Sequence, residues 1–126
     1  LTTRTPVNLR TARTCYDHLA GEVAVAIYDF LLREAWIVPD GSALTPVGEA
    51  QFARSGITLP AGNRRRVCCA CLDWSERRFH PGGAVGAALL QHGQRKGWFT
   101  LTPGFREVSI TPTGRFALRQ HFHLPL

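Results

Sequence analysis

The chain repeats itself, and this constrains its fold more than any other feature. Residues 15–37 read CYDHLAGEVAVAIYDFLLREAWI and are followed by LTPVG at 44–48. Residues 71–99 read CLDWSERRFHPGGAVGAALLQHGQRKGWF and are followed by ITPTG at 110–114. With His18 set against His80, one constant offset brings Gly21 onto Gly83, Val23 onto Val85, Ala26 onto Ala88, Arg33 onto Arg95 and Trp36 onto Trp98. The cysteines match through C-x-D (Cys15 and Asp17, Cys71 and Asp73), with six extra residues before His80 in the second copy. The TP-x-G motifs match after a hairpin four residues longer in that copy. Matches in one order at one offset mark a duplication, so both copies are expected to fold alike.

Each copy reads as helix, hairpin, helix. Leu19, Val23, Ala26, Ile27, Phe30 and Leu31 recur at helical spacing and predict a helix over about 17–35. Val25, Tyr28 and Leu32 make its opposite side apolar too, as in a mostly buried helix. In the second copy Pro81 suits a first helical position, and Val85, Ala88, Leu89 and His92 form an inward stripe to about Lys96. Gly82, Gly83, Gly86 and Ala87 thin that helix and permit close approach by a neighbour. An aromatic–apolar pair follows each helix (Trp36-Ile37 and Trp98-Phe99) and leads into a short strand. The turn at 39–42 and Pro103-Gly104 reverse the chain into second strands. Thr45 and Thr111 each precede a proline, a helix-start signal that predicts helices over about 46–55 and 112–121. The expected architecture is α+β: two tandem winged-helix-like repeats related by a pseudo-twofold. The first occupies 1–57 with an N-terminal extension, 58–66 is the linker, and the second occupies 67–126.

Charge is unevenly spread. Residues 1–62 carry five Arg against six acids, whereas 63–126 carry ten basic residues against three acids. A basic surplus suits a phosphate backbone, yet only Arg64-Arg65-Arg66 and Arg77-Arg78 are clustered, as a solvated surface would also allow. No run of about 18 apolar residues suggests a membrane span. The absence of a cleavable leader and of regular cysteine spacing points to the cytoplasm. The chain begins at Leu1 and contains no Met, which reads as a mid-chain start with a further segment expected upstream.

Taken together, RTCYDHLAG at 13–21, CLDWSERR-x-H at 71–80 and the two TP-x-G turns resemble the C-terminal half of a group of ArsR-type winged-helix transcriptional regulators. The resemblance spans about 13–116. It implies a DNA-reading helix-turn-helix in the part upstream, a homodimer, DNA as partner through that upstream domain, and an effector site that is often a metal or metalloid site. The helices in recognition position offer Val23, Ala24, Val25 and Ala26 in copy one and residues 84–90 in copy two. Neither presents the Arg, Asn, Gln or Ser that base edges require. The repeats are therefore expected to serve packing, dimerisation or sensing.

Two thiol-based sites suggest themselves. Cys15, His18, Cys71 and His80 could converge near the pseudo-twofold as a Cys2His2 set suited to zinc or another thiophilic metal; buried structural Cys and His are the alternative. Cys68, Cys69 and Cys71 could hold a soft three-coordinate ion. In a strand, though, only Cys69 and Cys71 share a face, and in a helix only Cys68 and Cys71 do. Tyr16, Trp36, Trp74 and Trp98, with Arg77-Arg78, could line an organic effector pocket, or could simply be core. Asp17 and Asp73 are candidate acceptors for nearby Arg or backbone groups. No Ser-His-Asp order, phosphate loop or HExxH occurs, so an enzyme is not expected. Two other readings stand beside the regulator: a metal- or small-molecule-binding module without a DNA role, and a structural duplication that only holds a dimer.

Overall fold

The computed structural model of the chain describes residues 11–15, 17–59, 69–73 and 76–126, with the side chain of Cys69 excepted. Among the described residues lie four helices and three two-stranded antiparallel sheets. In chain order they are β1 (Arg13–Cys15), β2 (His18–Ala20), α1 (Glu22–Arg33), α2 (Pro46–Arg54), β3 (Cys69–Leu72), β4 (Phe79–Gly82), α3 (Gly83–Arg95), β5 (Phe99–Leu101), β6 (Val108–Ile110) and α4 (Pro112–Phe122). The fold is α+β, built from repeated helix–hairpin units.

Each repeat opens on a hairpin that the helical periodicity concealed. Residues 18–20 are strand, paired Arg13↔Ala20, Thr14↔Leu19 and Cys15↔His18. The expected helix over 17–35 therefore begins only at Glu22, because Gly21 stands at φ 98°, outside helical space. Leu19 is buried as predicted, but from a strand. Pro81 likewise sits in β4 opposite Ala70, not in the first turn of α3. A two-stranded sheet has only edge strands, where a residue without N–H is tolerated.

The later elements follow the sequence more closely. Thr45 and Thr111 cap α2 and α4, their Oγ1 atoms accepting from Gly48 N at 3.0 Å and Gly114 N at 2.9 Å. Each threonine also donates its hydroxyl backwards at 2.5 Å, Thr45 to the Ala35 carbonyl and Thr111 to the Gly97 carbonyl. The TP-x-G glycines are required by contact: a Cβ on Gly48 or Gly114 would overlap the carbonyl of Trp36 or Trp98. The hairpin after α3 forms as β5–β6, paired Phe99↔Ile110 to Leu101↔Val108. Its shorter counterpart after α1 is reduced to a single bridge, Ile37↔Leu44.

The two copies share one apolar core and pack crosswise. Helix α1 lies mainly on β4 and α3 mainly on β2, so each helix rests on the other copy's opening hairpin, and β2 lies beside β4. This reciprocal packing is consistent with the expected pseudo-twofold. Phe30 of α1 meets Trp36 and Phe122 edge-on, at 5.0 and 5.7 Å between ring centroids. Trp98 packs edge-on to His92 at 5.0 Å and stacks on His121. Trp36 and Trp98 are thus buried in the core, and Trp98 also lines a small apolar cavity with Leu19, Phe99 and Phe122. Tyr16, Trp74, Cys68 and residues 60–66 of the expected linker lie outside the described residues.

A candidate Cys2His2 metal centre

The crosswise packing brings the two opening hairpins together, and with them Cys15, His18, Cys71 and His80. Cys15 faces His18 across β1–β2, and Cys71 faces His80 across β3–β4. One potential ligand atom from each of the four residues lies within 4.8 Å of all the others. The cysteines are half-buried, whereas His18 and His80 are 6% and 0% exposed. The six extra residues before His80 therefore leave the convergence intact, because the strand pairing restores the register.

Close approach of backbone makes this possible. Gly86 of α3 lies against the hairpins, and a Cβ there would overlap the Pro81 carbonyl and stand 2.9 Å from the His18 Cβ. Gly86 thus serves the site directly, by letting α3 sit down on His18.

Behind the histidines lies a buried polar network. Asp73, 0% exposed, accepts from the Arg13 guanidinium at 2.9 Å and from the backbone N–H groups of Gly21 at 2.6 Å and Glu76 at 3.2 Å. Arg13 is itself fully buried. A guanidinium carries its charge under all ordinary conditions, so the opposed carboxylate is ionised and can only accept. His80 Nδ1, 2.9 Å from Asp73 Oδ2, then donates its proton to the carboxylate, and in the neutral ring Nε2 is the lone-pair atom. His18 repeats the arrangement more loosely, with Nδ1 3.4 Å from the half-exposed carboxylate of Asp17. The two Nε2 atoms then face one another at 3.1 Å.

The repeat motif C-x-D therefore supplies both a sulfur ligand and a carboxylate behind a histidine. Sequence reading singled out Asp17 and Asp73 as acceptors but did not join either to its histidine, and it overlooked Arg13. The matched C-x-D spacing was the available signal. For the alternative thiol set, Cys71 belongs to the cluster with Cys15. Cys68 and the side chain of Cys69 lie outside the described residues. Arg78, whose carbonyl accepts from the Asp73 N–H at 2.7 Å, turns its side chain outwards to pair with Asp29 on the surface.

No family model matches the chain, and no solved structure matches it. The likeness found is to a transcriptional regulator. The chain is 36% identical, over 123 aligned residues, to the uncharacterized HTH-type transcriptional regulator YdfF of Bacillus subtilis, an alignment covering 94% of this chain and 54% of that protein. The chain thus spans about half the length of the curated relative it matches. Among the described residues, no helix is long and apolar enough to cross a membrane.

Proposed function

We propose that this chain is the C-terminal sensing and dimerisation region of a cytoplasmic, homodimeric DNA-binding transcriptional regulator of the ArsR type. On this reading the tandem repeats are winged-helix-like units, divided as 1–57 and 67–126, that no longer read DNA. The similarity of nearly the whole chain to part of an HTH-type regulator carries the proposal. The burial of α1 and α3 supports it. Val23, Ala24, Val25 and Ile27 of α1, and Ala84, Val85, Ala87 and Ala88 of α3, are buried, so the segments in recognition position are packed away, and the exposed Gln91, Gln94 and Arg95 of α3 lie towards its C-terminal end. DNA recognition belongs to another part of the protein, and the role of this part is not enzymatic.

The effector would act where the two opening hairpins meet. A thiophilic metal at Cys15, His18, Cys71 and His80 would touch both repeats at once, so its binding could alter their packing and hence the spacing of DNA-reading domains attached to them. Electrophoretic shift assays at physiological salt test the reading. The full-length gene product should bind DNA upstream of its own gene specifically, while the present chain alone should show no specific binding. Specific binding by the isolated chain would overturn the division of labour. Absence of DNA binding by the full-length protein would favour a metal-binding module without a DNA role, a second reading motivated by the four converging ligand atoms.

A further inference from the structure

We infer that the junction is a closed, four-ligand zinc(II) site whose histidines are set by a carboxylate behind each ring, with Asp73, anchored by Arg13, as the principal positioning residue. This rests on placing the metal at the Cys–His cluster, but not on the DNA-binding role.

His18 Nε2 and His80 Nε2 stand 3.1 Å apart, within hydrogen-bond reach of one another. A hydrogen bond between them places a proton on one Nε2, whereas with both rings donating through Nδ1 the two Nε2 lone pairs can bind a single cation instead. Tetrahedral zinc, at about 2.0–2.1 Å from nitrogen and about 2.3 Å from sulfur, separates two nitrogens by about 3.3 Å and two sulfurs by about 3.8 Å. The histidine pair is already near that spacing, and all four atoms fall within 4.8 Å of one another. Two thiolates and two imidazoles suit a borderline, tetrahedral ion and leave no open position for a substrate. The site therefore acts as a staple between repeats rather than as a catalytic metal.

Asp73 is what makes one half of this arrangement rigid. It joins a strand-entry residue (Arg13), the turn before α1 (Gly21 N–H) and a ligand ring from the other repeat (His80) through a single buried carboxylate. A carboxylate behind a metal-bound histidine fixes its tautomer and orientation, and losing one typically lowers metal affinity about 10–100-fold. Asp17, longer at 3.4 Å and half-exposed, contributes in the same direction but less.

The test is a zinc titration of the protein against a competing chelator, with elemental analysis and histidine 15N NMR of the loaded form. One equivalent of zinc is expected, bound through Nε2 of both histidines with the proton on Nδ1. Asp73→Asn should lower the affinity about 10–100-fold, while its cobalt(II) form keeps a tetrahedral S2N2 spectrum, which distinguishes lost positioning from a lost ligand. Because Asp73→Asn leaves a buried Arg13 without its ionic partner and could fail to fold, Asp17→Asn provides the second variant, with a smaller fall in affinity. Cys15→Ser should remove one sulfur-to-cobalt charge-transfer contribution. Absence of stoichiometric zinc with no binding on titration, ligation through Nδ1, or wild-type affinity in both aspartate variants would each overturn the inference. None of these results bears on whether the full-length protein binds DNA.

Discussion

Asp73 and His80, seven residues apart on the same β3–β4 hairpin, share a buried hydrogen bond of 2.9 Å between Oδ2 and Nδ1. Through that carboxylate the second repeat is tied to Arg13 and Gly21 of the first. The link between repeats is thus polar at its centre, within a core that is otherwise mostly apolar. The predictions below follow from that centre and from the packing that builds it.

Zinc at the centre would be bound only by the folded state, so its removal should destabilise the protein. Treatment with a strong chelator is expected to cost about 2 kcal/mol or more, read as a fall in melting temperature of roughly 6 °C or more. Restoring zinc should restore the melting temperature. An unchanged melting curve in a protein shown to have carried zinc would argue against a staple.

Gly86→Ala sets helix propensity against space. Alanine favours a helix interior by about 1 kcal/mol over glycine. Here, however, the added methyl meets the Pro81 carbonyl and the His18 Cβ, neither of which is a flexible chain end. We expect net destabilisation of about 1–3 kcal/mol by urea unfolding, together with weaker zinc binding. A stabilised variant would show that α3 can move away from His18 at little cost.

Gly48→Ala and Gly114→Ala should behave as a matched pair. Each added Cβ overlaps a tryptophan carbonyl in the equivalent position of its repeat, and each should cost about 1–3 kcal/mol. Thr45→Ala and Thr111→Ala, which remove the caps of the same helices, should each cost about 1 kcal/mol. Chemical denaturation of the four single variants checks both the size and the symmetry. A large loss in one repeat with none in the other would count against equivalent packing.

His92 predicts an acid-sensitive contribution to stability. It is 2% exposed, and burial, followed by the charges of Arg95 and Lys96 and by His121, holds it below the ordinary value of 6.5. The unfolded chain therefore takes up a proton here at a higher pH than the folded protein does. Stability present above pH 6.5 is lost as the pH falls through that value towards the lowered one. His92→Phe keeps an aromatic ring against Trp98 and removes the titration. Urea midpoints followed from pH 7.5 to 5 should fall more steeply in the wild type than in this variant. Parallel curves would refute the assignment.

Much of this protein is legible in its sequence. Two copies of one pattern determine that two similar units exist. Thr-Pro pairs determine where α2 and α4 begin, and matched Cys and His positions mark the residues that meet. These features are local or symmetric, and neither kind needs a partner to be seen. Tertiary structure alone decided the rest. Residues 18–20 carry a helical apolar rhythm, yet they are strand because β1 pairs with them and Gly21 breaks the helix. Pro81 looks like a helix start and is a strand residue for the same reason. Arg13 reads as one surface arginine among many, but it lies buried against a carboxylate 60 residues away. A periodicity records which faces are apolar, not which backbone partner will arrive. The joining of Arg13 to Asp73 depends on the two hairpins crossing, and no spacing along the chain encodes that.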